Sequence, residues 1–200
     1  MSKNNPHLLK SNSLFALFCL SYLPLFFLLI LKLGIANFNY LHFHEISTES
    51  LITFFEKFGF VTILIILGSY GMFGTYITLK NIKQKESNAI PAKVASVKLK
   101  NEEALSYLTS YVLPLLISGA IGTFEYATFG VLFFLYYKLY STSSLILINP
   151  ILNMKYGLYE IEYISGTKQK SALIISQHKW IDIDDEIKIL KLSHKLYFAY

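Results

Sequence analysis

The sequence predicts an all-α transmembrane domain of four helices over residues 1–148, followed by a small β-rich cytoplasmic tail over residues 149–200. Three observations carry this reading. Long apolar runs cover roughly 13–31, 58–79, 104–122 and 126–148, each near the ~20 residues a helix needs to cross ~30 Å of hydrocarbon. The lysines between them are unevenly shared. Beyond Asn149 the apolar spacing changes from helical runs to short alternating segments. With 54% hydrophobic residues and a mean hydropathy of +0.45, the 200-residue chain lies outside the usual range of soluble domains. Lipid cannot satisfy backbone polar groups, so each run must be a helix.

The first run follows Lys3 and Lys10 and contains Pro24. Gly34-Ile35-Ala36 resembles a cleavage motif, but the run is longer than a signal peptide's apolar core and Lys32 intervenes, so a retained span is expected. Pro24, like Pro114 in the third run, removes an amide hydrogen and should kink its helix. Leu51, Phe54, Phe55 and Phe58 recur at helical spacing opposite Glu49, Thr53 and Glu56. They describe either an interfacial helix that feels the bilayer or a plain extension of the second run.

In the second run Gly68, Gly71 and Gly74 recur every third residue, and the third ends with Ser118 and Gly122 at small-xxx-small spacing. Such surfaces let helix backbones approach closely, within one bundle or between subunits of an expected homo-oligomer. Lys138 falls inside the fourth run. Its stem can snorkel to the interface, or its charge can serve an ion pathway.

Orientation follows from Lys80, Lys83, Lys85, Lys93, Lys98 and Lys100, which place the loop between runs two and three in the cytoplasm. Four spans then put both termini there too, in a multi-pass protein with residues 33–57 outside. In the tail, Tyr159, Ile161 and Tyr163 alternate with Glu160 and Glu162. A tail this short has little core of its own, so Tyr159, Glu160 and Tyr163 are candidates for docking a partner.

The chemistry-bearing residues are sparse. His42 and His44 beside Glu45 are too few ligands for a metal site, and Asp182, Asp184, Asp185 and Glu186 lack the spacing of a calcium loop. No nucleophile motif or phosphate-cradling glycine loop stands out, so neither an enzyme nor a bound cofactor or metal is expected. All 18 basic residues are lysines, which leaves no arginine for bidentate reading of phosphate or guanine, and direct nucleic-acid binding is not expected. Cys19, the single cysteine, reads as a packed thiol within the first run.

Two strings carry a resemblance: SYLTSYVLPLLISG with Tyr111 and Pro114, and NPILNMKYGLYEIEY with Asn149, Pro150, Gly157, Tyr159 and Glu160. With the four runs and the lysine-containing tail, they resemble the KwaA family, the membrane subunit of the bacterial Kiwa anti-phage defence system. The resemblance implies a non-enzymatic inner-membrane component that responds to phage at the envelope and works with a soluble cytoplasmic partner, KwaB, which acts on phage DNA. The alternative class is a pore-forming or transport protein, which the scarcity of ionisable residues in the runs disfavours.

Overall fold

Helix α1 (Ser11–Ser21) and helix α2 (Leu23–Ala36) meet at a 54° bend. Pro24, in the first turn of α2, has no amide hydrogen to continue the ladder, and Tyr22 at the corner turns its own N–H to the carbonyl of Cys19. The first apolar run is therefore a broken helix. The computed structural model describes residues 9–41, 47–99, 123–142, 149–165, 168–178, 180–193 and 196–200. Helix α3 (Thr48–Lys83) starts at a reciprocal cap: Ser50 N–H donates to Ser47 Oγ at 3.1 Å, and Ser47 N–H donates to Ser50 Oγ at 2.9 Å. Its 36 residues make it ~54 Å long. Helix α4 (Thr123–Thr142) and the short α5 (Pro150–Lys155) follow.

Helix α3 is long and apolar enough to cross a membrane, and the bent α1–α2 pair is a second if it counts as one span. The apolar part of α4, Ala127–Lys138, is shorter. Among the described residues one or two spans thus stand where four were expected. The third run, with Pro114, Ser118 and Gly122, lies outside those residues.

The all-α domain with a β-rich appendage is not the fold. A closed five-stranded barrel is built from β1 (Ile90–Leu99), β2 (Gly157–Ser165), β3 (Lys168–Ser176), β4 (Glu186–Lys191) and β5 (Leu196–Ala199), in the order β1-β2-β3-β5-β4. The lysine-bearing stretch after α3, expected as a loop, supplies the strand that closes it. Pairing is antiparallel except between β3 and β5. The first part of β1 pairs with β4 and the rest with β2; the register slips between Val94 and Ser96, a bulge that bends the strand from one neighbour to the other. This is the strand order of an OB-type Greek-key barrel, with α4 and α5 carried on the connection from β1 to β2.

Period-two alternation sorts the side chains. Val94, Tyr159, Ile161, Tyr163, Ile174 and Ile189 fill the barrel. Leu158, Ile175, Leu190 and Phe198 face outward, into a continuous apolar layer with Leu17, Phe18, Leu25, Ile82 and Leu152 of the helices. The barrel is thereby seated on one end of the helical layer.

Candidate functional site at the helix–barrel junction

Asn149 is completely buried beside the α1–α2 bend. Its Nδ2 donates to the carbonyl of Leu17 at 3.0 Å, and its Oδ1 accepts from the N–H of Leu152 at 3.1 Å, capping α5. One amide thus ties α1 to the segment that enters the barrel. Two more bonds cross the junction: Leu9 N–H donates to Leu192 O at 2.8 Å, and Tyr200 Oη donates to Ile82 O, in the last turn of α3, at 2.6 Å. The Tyr200 phenol is pushed up by burial and then by the nearby charge of Glu86. It stays protonated, and a donor, through the neutral range.

Gly157 opens β2 where no side chain fits. A Cβ there would run into the ring of Tyr159 and lie 2.9 Å from the carbonyl oxygen of His178. Inside the barrel Tyr163 and Tyr197 join hydroxyls at 3.4 Å. The Tyr163 phenol is raised, first by burial and then by that hydrogen bond.

The glycine face of α3 receives α1 and the start of α2 of the same chain. A Cβ on Gly71 would lie 2.7 Å from the backbone nitrogen of Leu20 and 2.9 Å from the carbonyl carbon of Cys19. On Gly74 it would meet the Cβ of Ala16 at 2.6 Å, and on Gly68 the Leu23 side chain at 3.3 Å. Across α1 from this face is an aromatic cluster: the Phe18 ring lies 4.9 Å from Phe133, 5.3 Å from Tyr137 and 5.3 Å from Tyr140.

Leu51, Phe54, Phe55 and Phe58 occupy the first turns of α3, which runs on without a break into the apolar stretch. Leu51 and Phe55 are exposed, whereas Phe58 is buried against Leu33 and Val61 and so belongs to the packing of α2 on α3. Lys138 is exposed on α4. Tyr159 and Tyr163 point into the barrel and present no surface for docking; of the three tail candidates only Glu160 lies on the outside. Among the described residues no cluster of histidine, cysteine and carboxylate groups suits a metal, and His42 and His44 lie outside them. The acidic cluster forms an exposed turn, with Asp184 at φ 74° and paired to Lys93 at 3.0 Å.

Three features escaped the sequence reading. Tyr200 has no local pattern around it. Trp180 and Ile183, on the connection from β3 to β4, are 83% and 62% exposed. The signal was there: the chain's single tryptophan stands next to a run of aspartates, on a connection that, among the described residues, only Ile181 anchors in the barrel core. Asn149-Pro150 is likewise an N-cap followed by a first-turn proline, the usual opening of a helix.

In OB-type barrels the β2–β3 face and its flanking loops receive ligands. Here Leu158, Leu173 and Ile175 of that face are packed against the helices. No curated protein and no solved structure matches the chain. A family model does match, from residue 13 to residue 198, and its description is anti-phage protein KwaA. Covering nearly the whole chain, from the first turn of α1 to the last strand of the barrel, that match places the protein in the KwaA family of anti-phage defence proteins.

Proposed function

We propose that this KwaA-family protein is an integral component of the bacterial inner membrane that senses infection in the bilayer and passes the signal to a soluble cytoplasmic partner of the KwaB type. It does so without catalysing a reaction. The start of α1 and the ends of α3 and α4 lie toward the barrel, with Lys10, Lys80 and Lys83 close by, and this cluster of lysines supports a cytoplasmic barrel. The observation that carries the reading is the bonding of the barrel to both packed helices, through Asn149 to Leu17 and through Tyr200 to Ile82. A bilayer disturbance that shifts α1 against α3 must either move the barrel or break those bonds. Favouring one packing by a few kcal/mol is enough to change which state prevails.

Nucleic acid is left to the partner, because helices cover much of the face on which such a barrel would take it. The partner docks instead on Trp180 and Ile183, large apolar side chains that face solvent on the connection from β3 to β4. The test is co-purification and phage protection with the partner present, comparing wild type with a Trp180→Ala/Ile183→Ser double variant at matched membrane levels. The double variant should lose both. Full recovery of partner and protection would move docking elsewhere on the barrel.

A further inference from the structure

Between the second half of α3, the α1–α2 bend and α5 lies a groove of about 590 Å³. Its walls are apolar, formed by Leu20, Leu23, Met72, Leu79, Ile151 and Leu152. Its mouth is basic. Lys80 and Lys83 stand three residues apart, on one face of the last turns of α3, and Lys155 reaches in from α5. The Lys83 ammonium lies 5.6 Å from the centre of the Tyr156 ring, which fixes it at the rim. Among the described residues no carboxylate pairs with Lys80, Lys83 or Lys155; the ion pairs there are Lys93–Asp184 and Lys188–Glu86.

We infer that this groove is a binding site for an anionic phospholipid of the cytoplasmic leaflet, its phosphate held by Lys80, Lys83 and Lys155 and an acyl chain lying along Leu23, Met72 and Leu79. Length and charge both select this occupant. From Met72 to Lys83 the helix rises ~16 Å, the depth of one leaflet's hydrocarbon, so apolar wall and basic mouth are spaced as tail and headgroup are. A soluble anion would leave the wall empty, and a neutral lipid would leave three charges unanswered. Basic pockets at the cytoplasmic ends of membrane helices recognise acidic headgroups by this combination. Thr75, in the same wall, is buried with a hydroxyl that has no partner in the protein among the described residues, and a lipid ester oxygen supplies an acceptor. Because α1, α3 and α5 all border the groove, an occupied site would brace the junction through which the barrel is held.

This site rests on the membrane reading above, and the test separates the two. Full-length protein in neutral detergent is titrated with phosphatidylglycerol or phosphatidylcholine and read by native mass spectrometry, for wild type, Lys80→Gln/Lys83→Gln/Lys155→Gln, and Met72→Trp, which fills the groove while keeping the lysines. Wild type should prefer phosphatidylglycerol, and the triple variant should bind it on the order of 100-fold more weakly. Met72→Trp should also lose it. Equal binding by wild type and triple variant, equal binding of the two lipids, or displacement by millimolar inorganic phosphate in place of lipid would each overturn the site. Membrane fractionation of the same variants reports on the membrane reading alone, and release of wild type into the soluble fraction would overturn that reading instead.

Discussion

The hydroxyl of Tyr200 donates to the carbonyl of Ile82 at 2.6 Å, joining the end of the barrel's fifth strand to the last turn of α3 across 118 residues of sequence. The acceptor is a helix-end carbonyl that already takes the N–H of Lys85 at 2.9 Å, and the phenol uses its second lone pair. Tyr200→Phe keeps the ring and removes the donor, so it should cost about 1 kcal/mol in thermal unfolding of the purified protein. A larger loss would mean that the ring's packing had changed as well.

The same bond gives a pH dependence. Burial and Glu86 raise the folded-state pKa of Tyr200 above its unfolded value, so its contribution is complete below the unfolded value, near pH 10, and is lost as pH rises through the folded one. Wild type should therefore lose stability steeply above about pH 10, and Tyr200→Phe less so. Parallel alkaline curves for the two proteins would show that other tyrosines, such as Tyr163, dominate that limb.

Gly71 and Gly59 form a matched pair on one helix. A methyl group on Gly71 would press on the backbone of α1, whereas one on Gly59 would meet nothing within 4 Å. Gly71→Ala should destabilise the protein by about 1–3 kcal/mol, as overpacking against atoms that cannot rotate away does. Gly59→Ala should be neutral or slightly stabilising. Equal melting temperatures for the two variants would mean that α1 does not sit on this face.

Removing Asn149 strands two buried partners at once, the carbonyl of Leu17 and the N–H of Leu152. Asn149→Leu should cost about 2 kcal/mol or more. Its effect should concentrate at the junction, seen as faster amide exchange in α5 and β2 with the interior of α3 still protected. Uniform loss of protection would make Asn149 a global core residue.

Phe55 is exposed near the start of α3 and Phe58 is buried against α2, so charging them should have different consequences. Phe55→Glu leaves the packing intact and should give inserted protein with altered anti-phage protection. Phe58→Glu buries a carboxylate among Leu33 and Val61 and should lower the yield of folded protein. Full protection with Phe55→Glu at matched levels would leave the start of α3 without a sensing role.

Much of the helical layer was legible in the chain because its signals are local. Run length marked α3, the imino ring of Pro24 marked the bend, and the three-residue spacing of Gly68, Gly71 and Gly74 marked a close-contact face. Alternation likewise marked β2. What local signals could not give was partnership. Ile90–Leu99 alternates too, but its pairing residues lie from Tyr159 onward, and a strand without a visible partner reads as a loop with lysines. Tyr159 and Tyr163 looked like a docking surface because only barrel closure decides which side of a strand is inside. The glycine face could not name α1 as its occupant, nor could Tyr200 name Ile82. Composition and periodicity marked α3, the bend at Pro24 and β2, since those signals depend on neighbours within a few residues. Which faces meet was decided by the tertiary structure, because burying an apolar face or pairing a strand edge depends on residues tens of positions away.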